Sequence, residues 1–80
     1  MNYIDLRLGD FLTNVVMMSN VTVYDTYDDT LLFHARVNGL NNVNIEDGIL
    51  DENADLNKYV INYVTSTDDG IEIGVIDEGF

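Results

Sequence analysis

Apolar positions fall into four patterned blocks along the chain. Leu8, Phe11, Leu12, Val15 and Val16 recur at spacings of three and four, which places them on one face of a short helix. Asp5 or Asp10 stands near its start, where a carboxylate meets unpaired N–H groups, and Ser19-Asn20 ends it. Gly9 weakens this helix, and the alternation of Ile4, Leu6 and Leu8 offers a short strand ahead of it. Val21-Thr22-Val23-Tyr24 is β-branched and aromatic, and the run from Leu31 to Val37 alternates. That alternation puts Leu31, Phe33, Ala35 and Val37 on an apolar face, and Leu32, His34 and Arg36 on a half-wet one. The polar run 25–30 between the two strands fits a hairpin. A second hairpin closes the chain. Its strands are 59–64 and 71–76, its turn holds Asp69-Gly70, and Tyr59, Ile61 and Tyr63 match Ile71, Ile73 and Val75.

Residues 38–57 break these periods. They are rich in asparagine, carry the turn dipeptides Asn38-Gly39 and Asp47-Gly48, and are expected to form short helical turns or an excursion. The sum is one α+β domain over residues 1–80. It has about four mostly antiparallel strands in one sheet, with an N-terminal helix packed on one face.

Composition changes the picture in one respect. With 80 residues, 15 acids and 3 bases, the net charge is −12. Residues 1–40 hold five acids and two arginines, whereas residues 41–80 hold ten acids and one lysine. Without cysteine or proline, the single small core stands on packing alone, and a homodimer is one way to bury more apolar surface. No basic leader and no long apolar run point to secretion or a membrane, so a cytoplasmic location is expected. Direct binding to nucleic acid or to an anionic membrane is disfavoured by the charge.

Catalytic signals are weak. His34 is the only histidine, and neither Ser19 nor Ser66 stands in a nucleophile-elbow sequence, so the residue reads as a surface or packing histidine and the protein as a non-enzyme. Asp51, Asn53 and Asp55 match the first, third and fifth positions of an EF-hand loop. Leu56 replaces the required glycine and Asn62 the bidentate glutamate, so no metal site and no cofactor is expected beyond weak calcium or magnesium binding.

The acids themselves remain. Glu46, Asp47, Asp51, Glu52 and Asp55 fall within ten residues, and Asp68, Asp69 and Glu72 follow around the last hairpin. Solubility alone needs a net charge of only about 2–8, and excess charge destabilises a compact state. Alternate residues on a strand lie about 6.6 Å apart, near the spacing of successive phosphates, so such carboxylates can imitate a nucleic-acid backbone. These eight acids are the candidate partner-binding residues, with Tyr24, Tyr27 and Tyr63 as contacts where bases would stack.

The runs Leu8-Gly9-Asp10-Phe11-Leu12, Asn20 to Asp25 and Leu31 to Val37 resemble, in layout, short acidic proteins encoded by phages and prophages of Gram-positive bacteria. The overall character is similar to that of anti-CRISPR and related anti-defence proteins, several of which are small acidic α+β inhibitors that imitate DNA. That resemblance implies an inhibitor of a host nucleic-acid-binding defence enzyme, such as a Cas effector, whose basic groove the acids would occupy. The alternative is a non-catalytic structural or regulatory phage protein. It would act by dimerisation or through apolar surface positions such as Leu32 or Ile76.

Overall fold

The computed structural model describes residues 6–14, 18–39, 42–50 and 55–77. Its elements are helix α1 (Leu8–Asn14) and strands β1 (Met18–Asp25), β2 (Thr30–Asn38) and β3 (Val43–Gly48). A 3-10 turn (Leu56–Lys58) then leads into β4 (Tyr59–Ser66) and β5 (Gly70–Asp77).

Both expected hairpins form. β1 and β2 pair antiparallel, as do β4 and β5. The turn between β1 and β2 is built from its own acids: Tyr27 N–H donates to Asp25 Oδ1 at 2.8 Å and Thr30 N–H to Asp28 Oδ1 at 3.1 Å. Asp29 takes the left-handed conformation at φ 60°, which short polar side chains tolerate.

The sheet itself departs from expectation in two ways. It has five strands in the order β3-β2-β1-β5-β4, because part of the asparagine-rich stretch forms β3 and pairs antiparallel with β2. In β3, Val43 and Ile45 alternate with exposed polar residues and stand opposite Val37 and Ala35. This period-2 pattern spans only two apolar positions, which is why the sequence reads as irregular. The sheet is also mixed: the two hairpins join through parallel pairing of β1 with β5, from Asn20 opposite Gly70 to Asp25 opposite Val75.

One face of the sheet is apolar. Val21, Val23, Phe33, Ala35, Val37, Ile73 and Val75 are buried there, joined by Tyr59 and by Leu8 and Leu12 from α1. Phe11, Ile45, Leu56, Ile61 and Ile71 pack around this cluster. Asp10 stands in the first turn of α1, and Asp5, Val15 and Val16 lie outside the described residues. Gly9 sits in α1 because Asn57 of the 3-10 turn presses against it; a Cβ there would stand 2.5 Å from Asn57 Oδ1. That Oδ1 accepts Asp10 N–H at 3.0 Å, tying the helix to the turn before β4. Arg7 makes an antiparallel bridge with Val60, and Ile61 N–H donates to Leu6 O at 2.7 Å. The residues just ahead of α1 therefore lie along the outer edge of β4.

Two bulges redirect side chains. Between Val23 and Tyr24 the register with β2 shifts, so that Val23 faces Phe33 and Tyr24 faces Leu31. The extra residue is Leu32, which is only 3% exposed and belongs to the core. The expected split of Leu31 inward and Leu32 outward is thus reversed, and Leu32 is no surface contact. The second bulge lies between Ile61 and Tyr63. It takes Tyr63 off the apolar face, 41% exposed and opposite Gly74, so the expected match of Tyr63 with Ile71, Ile73 and Val75 fails.

Candidate functional site

The other face of the sheet is polar, and its rows can be followed across the strands. The register places Asp47 opposite His34, His34 opposite Thr22, Thr22 opposite Glu72, and Glu72 opposite Thr65. One row thus crosses all five strands. Within it, Thr22 Oγ1 and His34 Nδ1 share a hydrogen bond of 3.2 Å, so the lone histidine is a half-buried partner of a threonine. A neighbouring row holds Asn44, Arg36 and Asn20. Arg36 Nη1 donates to Asn20 Oδ1 at 3.4 Å and its Nε to Asn38 Oδ1 at 3.3 Å.

On the far side of this face the Tyr63 ring lies over Gly74, where any Cβ would overlap it, and its hydroxyl donates to Glu72 Oε2 at 2.8 Å. This bond to a carboxylate pushes the Tyr63 phenol pKa above 10.0. Burial does the same, as the leading cause, for Tyr59.

The eight candidate acids separate by what their carboxylates do. Asp51 and Glu52 lie outside the described residues. Asp55 caps the 3-10 turn, accepting Asn57 N–H at 3.1 Å. The other residues of the EF-hand-like spacing, Asp51 and Asn53, lie outside the described residues. Glu72 is half-buried and engaged by Tyr63. Glu46, Asp47, Asp68 and Asp69 are exposed, and no hydrogen bond or ion pair to their carboxylates occurs among the described residues. These four form two pairs. Glu46 and Asp47 stand on the edge strand β3, at a register shift against His34 and Ala35. Asp68 and Asp69 stand in the β4–β5 turn, where Asn20 Nδ2 donates to Asp69 O at 3.1 Å. β3 and β5 are three strand steps apart, roughly 14 Å across the sheet, and because the row of Asp47 meets β5 at Glu72, the pairs are also offset by about 10 Å along the strands.

At the foot of β1, β2 and β5, beside the second pair, is a polar hollow of about 470 Å³ lined in part by Met18, Asn20, Arg36, Asn38, Asp68 and Asp69. A second hollow, of about 560 Å³, is lined among the described residues by Asp25, Tyr27, Ile76 and Asp77. Tyr27 is 91% exposed there and Ile76 40%. Tyr24 is half-buried beside Leu31, so of the three tyrosines only Tyr27 is both open and unengaged in side-chain bonding among the described residues.

Sequence reasoning missed that Asp55 and Glu72 are held by intramolecular hydrogen bonds. The spacing of Asp55 before Leu56-Asn57-Lys58 is a capping signal that could have shown the first. Among the described residues no group of three or more potential ligands gathers for a metal ion, and no helix is long and apolar enough to cross a membrane. Comparison with protein-family models, with curated proteins and with solved structures finds no match.

Proposed function

We propose that this protein is a non-catalytic inhibitor that occupies the basic nucleic-acid groove of a host defence enzyme, in the manner of the DNA-imitating anti-CRISPR proteins. The observation that carries this reading is the two unengaged acid pairs, Glu46 with Asp47 on the edge strand β3 and Asp68 with Asp69 in the β4–β5 turn. The two pairs are set apart both across and along the strands, so they would meet a basic groove at two separate places. Carboxylates grouped at two places offer a basic groove the sign of charge it meets on a nucleic-acid backbone. Arg36, on the same polar face, is held by Asn20 and Asn38.

The test is affinity capture from nuclease-treated host lysate, with the wild type and an E46Q/D47N/D68N/D69N variant, at low and high salt. The expected result is capture of a basic nucleic-acid-binding enzyme, released by salt and lost in the variant. Undiminished capture by the variant would defeat the proposal.

A second reading rests on the hollow beside Tyr27 and Ile76. These exposed apolar side chains suit a salt-tolerant interface with a host protein or a second copy. Ile76→Asp abolishing a salt-resistant complex would favour it.

A further inference from the structure

We propose that the outer edge of β4, from Asn62 to Ser66, docks an extended basic segment of the partner as an added antiparallel strand. This rests on the reading of the protein as a binder of a basic partner and names the second surface it would use.

The backbone pattern identifies which groups are free. Thr67 and Gly70 exchange hydrogen bonds, Thr67 N–H to Gly70 O at 2.8 Å and Gly70 N–H to Thr67 O at 3.4 Å. Bonded and non-bonded pairs alternate along an antiparallel ladder, so Thr65 opposite Glu72 is bonded, while Ser66 and Val64 turn their N–H and C=O groups outward. The start of the strand checks this parity. Ile61 N–H points outward to Leu6 O, and the bulge between Ile61 and Tyr63 moves the outward set from odd to even positions. The edge thus already accepts an antiparallel segment at Val60 and Ile61. Beyond them residues 62–66 are all exposed, and the outward groups of Val64 and Ser66 take no hydrogen bond among the described residues.

Edge strands are usually guarded by charge, proline or a bulge that turns them away. β3 is guarded by Glu46, Asp47 and its own register shift. β4 reads Tyr-Val-Ile-Asn-Tyr-Val-Thr-Ser, without one charged residue in a chain that carries 18. Charge returns immediately after it, at Asp68 and Asp69. A second copy would bring another −12 to this edge, whereas a basic strand gains from the field. Antiparallel docking sets the first residues of the incoming strand beside Asp68 and Asp69. The chemistry selected is an extended segment with lysine or arginine in its leading half and β-branched residues behind it.

The probe is an eight-residue peptide capped at both ends, with two lysines in its first half and valine and threonine elsewhere. It is titrated into the full chain and followed by amide chemical shifts. Expected are shifts centred on Val64 and Ser66, and binding weakened severalfold when the lysines are moved to the peptide's second half. Val64→Pro removes an outward N–H without breaking the ladder to β5, and is expected to weaken binding roughly tenfold. N-methylating the peptide on its bonding edge should do the same without altering the protein.

Equal binding of the N-methylated peptide, or shifts confined to Asp68 and Asp69, would overturn the proposal. So would a dimer, seen by sedimentation without peptide, that Val64→Pro dissociates. The groove-occupying reading fails separately, when neutralising Glu46 and Asp47 on the opposite edge leaves partner capture intact.

Discussion

Phe33 and His34 are neighbours in β2, yet they live in different solvents. Phe33 is completely buried on the face that meets Leu8 and Leu12 of α1, and His34 is half-buried on the face that carries Thr22, Arg36 and Glu72. The apolar face is packed around a core of side chains that are almost wholly buried. The polar face is a set of paired side chains: His34 with Thr22, Arg36 with Asn20 and Asn38, Tyr63 with Glu72. The contrast teaches where change is tolerated. Stability is concentrated on one side of the sheet, and the other side is open to selection for binding.

The sharpest test of that division compares adjacent substitutions. Phe33→Ala should cost about 3–5 kcal/mol, enough to unfold much of a small domain, whereas His34→Ala should cost about 1 kcal/mol or less. Urea denaturation of both variants measures the difference, and equal losses would erase the distinction between the faces.

A smaller effect is expected at Gly74, where a Cβ would overlap the Tyr63 ring and approach Thr26 Cγ2. Tyr63 is partly exposed and can swing away, so Gly74→Ala should cost about 1–2 kcal/mol and free the hydroxyl from Glu72. Loss of the restricted Tyr63 ring environment in the NMR spectrum reads this directly.

Glu72→Gln should leave the fold intact and lower the Tyr63 phenol pKa toward 10.0, since the hydrogen bond to the carboxylate is the leading cause of its elevation. The sign follows from linkage. With a raised folded-state pKa, the stabilisation is whole below pH 10 and is lost as pH rises through the folded value. Ultraviolet titration of tyrosinate in the two proteins checks it.

The smallest effect lies at Asp28, whose carboxyl is held below 3.8 by hydrogen bonds from Thr30, the side chain first and the backbone second. Its contribution is present above the unfolded value and disappears as pH falls through the folded one. Asp28→Asn should therefore narrow the stability gap between pH 5 and pH 3 by a slight, measurable amount.

The sequence reveals the apolar face better than the polar one, and the local pairings better than the distant. Val21, Val23, Phe33, Ala35, Ile73 and Val75 announce themselves by alternation, and Asp69-Gly70 marks its hairpin. Leu32 and Tyr63 sit beside bulges, where one extra residue inverts the alternation, and no composition signal marks a bulge in advance. β3 is legible only from its partner, because Val43 and Ile45 need Val37 and Ala35 across from them to read as a strand. The parallel join of β1 to β5 has no turn to declare it. Of the acids, exposure was foreseeable, but the engagement of Asp55 and Glu72 depends on neighbours that folding brings together.

That parallel join also governs when the molecule comes into being. Every pair in it, from Asn20 with Gly70 to Asp25 with Val75, closes a span of fifty residues. Such distant contacts carry a loop-closure cost that slows folding relative to a sheet made of hairpins alone. On the ribosome, β1 waits with one side open until β5 has been made. A chain cut short before residue 70 would lack the strand that closes the open side of β1.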